Sequence, residues 1–145
     1  LKTLGPEPLS DEFDAKYLVT KLKNRNLAIK TAMMDNKIVV GVGNIYINES
    51  LFRTKIHPVR PAKSLKKKEI ELLVNEIKAT LTKAIESGGS SISDYVDSSG
   101  NLGNFQSNFL VYGKDNEDCK ICHNFKIEKI VIGQRSTFFC SNCQK

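Results

Sequence analysis

The chain has 145 residues and a formal net charge of +6, with 40% hydrophobic and 26% charged residues. Its length suits about one domain, and its composition is that of a globular protein rather than a disordered one. No run approaches the roughly 18 apolar residues that a membrane span needs, and the N-terminus lacks the pattern of a signal peptide. We therefore expect a cytoplasmic protein without a membrane partner, whose positive charge favours a polyanion. Because the first residue is Leu1 rather than Met, we also expect a piece of a longer protein.

The first third of the chain predicts two short helices after an extended start. Glycine and prolines in residues 1–9 indicate a linker, and Ser10 is the predicted N-cap of the helix that follows. Apolar residues recur at helical spacing over 13–22, and a second short helix is predicted over 28–35.

A glycine-rich turn, Gly41-Val-Gly43-Asn44, precedes a third predicted helix over 45–53. Glycines let backbone N–H groups approach an anion closely, and a helix N-terminus adds positive potential to the Asn44 amide donors. The same residues also fit an ordinary tight turn in which Asn44 is only the helix N-cap. The residues by themselves leave both interpretations open.

A basic stretch follows, in which seven basic residues and no acidic one lie between positions 53 and 68, namely Arg53, Lys55, Arg60, Lys63, Lys66, Lys67 and Lys68. Either a solvated surface or a nucleic-acid contact accounts for it. A long amphipathic helix with apolar positions from Ile70 to Ile85 comes next and is predicted to end at Gly88-Gly89. Residues 88–118 are rich in Gly, Ser and Asn, which predicts a long loop of the kind that often carries function.

The four cysteines form two Cys-x-x-Cys pairs near the C-terminus. Cys119 and Cys122 make the first pair, Cys140 and Cys143 the second, and 17 residues separate the pairs. Two such pairs brought together by a hairpin give the closed tetrahedral thiolate site of structural Zn²⁺. A cytoplasmic chain disfavours disulfides, and a redox pair would need a βαβ context.

The residues between the two pairs predict that hairpin. The β-branched segment over 126–132 predicts one strand, Gly133-Gln134 a turn, and residues 137–139 the returning strand. The sequence therefore predicts a zinc ribbon with one structural zinc. His123 adjoins Cys122, but four thiolates already complete the coordination shell, so we do not expect it to be a ligand.

Seven motifs occur in order along nearly the whole chain: Gly5-Pro-Glu-Pro-Leu9, Met34-Asp-Asn-Lys-Ile-Val-Val-Gly-Val-Gly-Asn-Ile-Tyr46, Asn48-Glu-Ser-Leu-Phe52, Ile56-His-Pro58, Gly88-Gly-Ser-Ser91, Val111-Tyr-Gly113 and Gln134-Arg-Ser-Thr-Phe-Phe-Cys140. Together with the terminal cysteine pairs, they resemble the C-terminal half of the bacterial formamidopyrimidine-DNA glycosylases.

The resemblance implies a mainly α fold, in which a helix–two-turns–helix DNA-binding domain is followed by a small β-hairpin zinc ribbon. On this basis residues 1–9 would be an interdomain linker and residues 10–88 the helical domain. Residues 89–113 would hold the lesion-capping loop, over Ser90 to Gln106, and its connection, and residues 114–145 the zinc ribbon. Such a loop would fold over an everted base.

The resemblance also implies a function in base-excision repair, namely excision of oxidised purines such as 8-oxoguanine and formamidopyrimidines, followed by cleavage of the strand at the abasic site. The partner would be double-stranded DNA with oxidised bases or abasic sites. The position of Asn44 would bind a backbone phosphate beside the lesion. Arg135 would contact phosphates and serve catalysis as proton donor for the elimination, and an arginine suits phosphate because its planar fork stays charged. Lys30 and Arg25 occupy positions that would contact the damaged base or nearby DNA.

The nucleophile of this family is an N-terminal proline followed by glutamate, and the Pro6-Glu7 pair cannot replace it. A mid-chain proline nitrogen is an amide, whereas amine catalysis requires a free terminus. We therefore expect that the N-terminal catalytic domain is missing and that the chain alone is inactive. The missing domain would be the partner of this chain, in a protein that is otherwise monomeric and works near the bacterial nucleoid.

Three other functions remain open. An endonuclease VIII type glycosylase would act on oxidised pyrimidines, a non-catalytic zinc-ribbon adaptor would bind intact and abasic duplexes equally, and a protein-interaction domain would show little dependence on salt.

Overall fold

A computed structural model describes residues 4–86 and 109–145 of the chain. Within these ranges the helices are α1 (Ala15–Leu22), α2 (Ile29–Met33), α3 (Asn44–Arg53) and α4 (Lys67–Glu86), with a 3-10 turn at Ala62–Ser64, and the strands are β1 (Glu128–Ile132) and β2 (Arg135–Phe139). The predicted mainly α class with a terminal hairpin is confirmed. The predicted lesion-capping loop over 90–106 and the helix stop at Gly88-Gly89 lie outside the described residues. None of the helices described is long and apolar enough to cross a membrane.

The N-terminal end of α1 differs from the prediction. Asp14, not Ser10, is the N-cap, and its carboxylate accepts the Tyr17 backbone N–H at 2.8 Å. The Ser10 hydroxyl instead donates to the Glu7 carbonyl at 2.7 Å. Both residue types suit an N-cap, but an extra turn over 10–13 delays the helix and places the Phe13 side chain, which is fully buried, in the core.

Two hydrophobic clusters organise the molecule. The larger one unites the four helices, with α4 packed against both α1 and α3, around buried residues such as Leu18, Ile47 and Leu73. The smaller one is the core of the ribbon, where Phe138 and the cysteines Cys119 and Cys140 pack against Phe52 of α3. Helix α3 therefore belongs to both clusters and fixes the ribbon on the helical domain.

The ribbon hairpin has the turn that the sequence predicts. Strands β1 and β2 pair antiparallel with Ile132 opposite Arg135. The two residues between them, Gly133 and Gln134, have φ angles of 55° and 67°. Positive φ at both central positions is the signature of a type I′ hairpin turn. The turn places Arg135 at the tip of the ribbon, directly after it.

Candidate nucleic-acid interface and metal centre

The N-terminus of α3 is shaped by two glycines. Gly41 and Gly43 have φ angles of 71° and 92°, a backbone region that disfavours residues with a Cβ. At Gly43 a Cβ would also lie 3.3 Å from the Tyr46 ring. Gly43 is the N-cap and Asn44 is already the first helical residue, so the interpretation of Asn44 as an N-cap is wrong. The Asn44 side chain is thus available for other contacts beside the unpaired N–H groups of a helix N-terminus.

The Asn44 amide joins three elements of the fold. Its Nδ2 donates to the Ser136 carbonyl of β2 at 3.0 Å, and its Oδ1 accepts from Lys30 Nζ of α2 at 2.5 Å. Asn44 therefore brings a lysine from the second helix and the tip of the ribbon to the beginning of α3.

Lys30 is a buried cation, with only 1% of its surface exposed. Burial, and secondly the positive charge of Arg135, lower the pKa of Lys30 to about 8. Among the described residues Lys30 forms no ion pair. A buried cation near a second cation, with no carboxylate to balance it, is an environment that an added anion would stabilise.

Arg135 is exposed, and within the described part of the chain it too lacks a carboxylate partner. The structure thus brings together Asn44, Lys30 and Arg135. It does not add Arg25 to them, since the exposed Arg25 guanidinium lies 3.4 Å from the Asp35 carboxylate at the end of α2.

Two further polar residues of α3 hold the ribbon in place, and sequence reasoning missed both. Asn48, 1% exposed, accepts the Phe138 backbone N–H at 2.7 Å and donates to the Asn44 carbonyl at 2.9 Å. The sequence pattern that could have indicated them is the position of Asn48 and Glu49 between the apolar residues of a short helix. Polar residues on such a face are buried and need partners.

Glu49 is a buried carboxylate that binds three consecutive backbone N–H groups. Its Oε1 accepts from Leu110 at 2.8 Å, and its Oε2 accepts from Val111 at 2.9 Å and from Tyr112 at 2.8 Å. Charge-assisted bonds of this kind are about twice as strong as neutral ones. Glu49 therefore fixes the chain where it enters the ribbon, and Tyr112 packs edge-on against Phe138 with ring centroids 5.0 Å apart.

The four cysteines predicted as zinc ligands meet at one point. The sulfur atoms of Cys119, Cys122, Cys140 and Cys143 all lie within 4.8 Å of one another. The Cys119–Cys143 and Cys122–Cys140 sulfur distances are 3.7 and 3.8 Å. A regular tetrahedron with Zn–S bonds of about 2.3 Å has edges of about 3.8 Å.

This donor set fits one structural Zn²⁺, because four thiolates leave no position for water or substrate. His123 is not part of the set and lies exposed on the surface. The single structural zinc is therefore confirmed, and the four cysteines predicted as its ligands lie close enough together to hold it.

Comparison with known proteins divides the chain in the same way, into a helical part and a zinc ribbon. Residues 4–96 match the formamidopyrimidine-DNA glycosylase H2TH domain, and residues 117–145 match the zinc finger found in FPG and IleRS. The chain belongs to the formamidopyrimidine-DNA glycosylase H2TH domain family. It is 54% identical over 145 residues to the formamidopyrimidine-DNA glycosylase of Neisseria meningitidis and 50% identical over 145 residues to that of Bacillus licheniformis.

The chain spans about half the length of these curated relatives, 52% of each, while the match covers 100% of the chain in the Neisseria case. Among solved structures it is similar to Lactococcus lactis Fpg in complex with DNA containing an abasic site, with a TM-score of 0.86, 39% identity, and coverage of 99% of this chain and 52% of that one. It is also similar to MutM (Fpg) of Thermus thermophilus, with a TM-score of 0.87, 38% identity, and coverage of 99% and 55%. The resemblance deduced from the sequence motifs is confirmed.

Proposed function

We propose that the chain is the DNA-binding part of a base-excision-repair DNA glycosylase and AP lyase that acts on oxidised purines. The observation that carries the proposal is the convergence of Asn44, Lys30 and Arg135 at the N-terminus of α3, a cationic site at which no described carboxylate forms an ion pair. The names of the relatives and the abasic-site DNA bound by the Lactococcus protein support this choice of partner and reaction. The working location is the bacterial cytoplasm, at the nucleoid.

The geometry supports a different role for each of these residues at a DNA phosphate. Backbone N–H groups at the beginning of α3 and the Asn44 amide donate to the phosphate oxygens. Arg135 approaches from the ribbon with paired donors and, exposed at the hairpin tip, is the proposed proton donor for strand elimination. Lys30 lies behind Asn44 as a buried positive charge, and Arg25 would contact DNA further along the surface.

The catalytic step requires groups outside these residues. The Pro6 nitrogen is part of the peptide bond to Gly5, and the Pro6 carbonyl accepts the Val40 N–H at 3.0 Å, so Pro6 is held as a structural residue. An amide nitrogen is not a nucleophile for a sugar carbon. We therefore propose that activity needs the further half present in the relatives, that residues 1–9 link to it, and that this chain alone binds DNA without cleaving it. The division into a helical domain over 10–88, a capping segment over 89–113 and a ribbon over 114–145 is part of the proposal.

The proposal is tested by the affinity of the zinc-loaded chain for a duplex with an abasic-site analogue and for the same duplex without it, across a salt series. Affinity should fall steeply with salt, because each phosphate contact releases bound counterions. Tighter binding to the abasic duplex would show that this half recognises damage. Equal, salt-dependent binding would show that it contacts only the DNA backbone, which is also the behaviour of a non-catalytic zinc-ribbon adaptor. Affinity that hardly changes with salt would contradict the proposal and favour a protein-interaction domain.

Lys30 makes the binding of DNA dependent on pH. With a pKa of about 8 in the free protein, Lys30 is mostly charged at pH 7 and mostly neutral at pH 9. A bound phosphate favours the charged form, so binding takes up a proton and affinity should fall about tenfold between pH 7 and pH 9. Arg135 stays charged over this range, and His57, whose pKa is lowered by burial, stays neutral.

The matched control is Lys30→Arg, which keeps its charge at pH 9. Its affinity should be nearly constant between pH 7 and pH 9, measured by fluorescence anisotropy at fixed ionic strength. An equal tenfold fall in both proteins would assign the pH dependence to another group.

A further inference from the structure

The proposed phosphate site does not use five exposed lysines at the end of α1 and around the beginning of α4. These residues, called the lysine patch, are Lys23, Lys63, Lys66, Lys67 and Lys68. Three of them, Lys23, Lys63 and Lys67, line one hollow of about 150 Å³ between the end of α1 and the beginning of α4. The fold thus adds a lysine from α1 to the basic stretch seen in the sequence.

The lysines of the patch have no ion-paired carboxylate in residues 4–86 and 109–145. The nearest carboxylate of α4, Glu69, forms an ion pair with Arg60, whose two terminal nitrogens lie 2.7 and 3.0 Å from its oxygens. Glu69 also accepts the Lys66 backbone N–H at 2.8 Å, and the Lys66 charge contributes, after Arg60, to lowering the pKa of Glu69. Asp35 is paired with Arg25, and Glu71, one turn after Lys67 in α4, is in none of the ion pairs of the described residues. Most of the positive charge of the patch is therefore left without an ion-paired carboxylate in this part of the chain and can act on a partner.

Backbone pairing relates the patch to the proposed phosphate site. Segments 25–30 and 58–63 run antiparallel, with Lys30 N–H donating to the Pro58 carbonyl at 3.1 Å and Lys63 N–H donating to the Arg25 carbonyl at 2.9 Å. Lys30 marks one end of this pairing and Lys63 the other. Five residues of chain span at most about 17 Å. At about 3.4 Å per base pair, the backbones at the two ends are separated by no more than the length of about five base pairs of duplex.

We propose that the lysine patch binds the phosphate backbone of the same DNA duplex, within about five base pairs of the phosphate held at Asn44. The inference rests on the proposed function and extends the DNA interface onto α1 and α4. Lysine is a flexible point charge without the paired geometry of arginine, so the contact depends on the charge of the backbone and not on its sequence. It strengthens binding to duplexes long enough to reach the patch.

The test compares two triple variants with the same loss of charge. Lys23→Gln/Lys63→Gln/Lys67→Gln removes the three lysines of the hollow. Lys16→Gln/Lys21→Gln/Lys37→Gln, the control, removes three lysines that line a different hollow together with Glu12 and Asp14. Both change the net charge from +6 to +3. Circular dichroism and zinc content confirm that both variants are folded.

Affinity is measured over a salt series for an abasic-analogue duplex with about 12 base pairs on each side of the lesion. The patch variant should lose about tenfold in affinity, and its salt slope should be shallower by about 2 to 3, at about 0.9 for each phosphate contact. The control should lose clearly less, and its slope should stay closer to that of the wild type.

Equal slopes for the two triple variants would overturn the inference, since only net charge would then matter. Failure of the proposed function has a different signature, namely wild-type affinity in Asn44→Ala and Arg135→Ala.

Discussion

Cys140→Ser is expected to abolish zinc binding and to unfold the ribbon while the helical domain stays folded. Cys140 is fully buried, its sulfur is one of the four converging ligands, and its N–H donates to the Gln144 side chain at 2.9 Å. Binding of structural zinc contributes about 10–16 kcal/mol in small zinc domains, far more than the small ribbon core supplies. The helices keep their own hydrophobic cluster, which contains no residue of the hairpin.

The measurement combines zinc content, far-UV circular dichroism and limited proteolysis. Wild type should hold one zinc per chain and Cys140→Ser none, with new cleavage confined to the ribbon. His123→Asn is the control, because His123 is exposed beside Cys122 with a φ of 59°, a conformation that Asn tolerates. It should keep its zinc. Stoichiometric zinc in Cys140→Ser, or its loss in His123→Asn, would refute the assignment of the four thiolates.

Arg135→Ala and Asn44→Ala are expected to weaken binding to an abasic duplex by about 10- to 100-fold each. Loss of one charge-assisted hydrogen bond costs about 1.5–3 kcal/mol, which is the basis of this range. Arg135 is exposed at the hairpin tip, so its removal should leave the melting temperature unchanged. Asn44→Ala also removes the oxygen that accepts from Lys30 and the N–H that donates to the Ser136 carbonyl. It should therefore lower the free energy of unfolding by about 1–3 kcal/mol.

Lys129→Gln is the charge control for Arg135, because Lys129 is an exposed cation on the other strand of the same hairpin. It should lose only a few-fold in affinity. The double variant of Asn44 and Arg135 should lose less than the product of the single losses if both side chains bind one phosphate. Wild-type affinity in the two single variants would refute the assignment of Asn44 and Arg135 to the DNA-binding site. If the loss of the double variant equals the product of the single losses, the two side chains bind different phosphates.

Local patterns of the sequence were sufficient for the elements and for the metal. The apolar spacing over 13–22 and from Ile70 to Ile85 predicted α1 and α4, because burial of one helical face depends only on residues three and four apart. The cysteine pairs and Gly133-Gln134 predicted the zinc ribbon for a similar reason. Each pair of cysteines spans only four residues, whose spacing suits two thiolates on one metal ion, and the positive φ at the beginning of the turn favours glycine at position 133.

The N-cap of α1 shows where local patterns fail. Ser10 and Asp14 satisfy the same rule equally well. The choice between them depends on where Phe13 enters the core, which is a property of packing and not of the capping residue.

The site itself was decided by tertiary structure. Sequence motifs named Asn44, Lys30 and Arg135, but nothing local shows that Asn44 bonds to Ser136, 92 positions away, or that Lys30 is buried beneath it. The same holds for Glu49, whose partners at 110–112 are about 60 positions distant. Residue types and short spacings thus determined which groups this protein has, while long-range packing determined which of them meet, because a buried polar side chain takes whichever partner the fold brings to it.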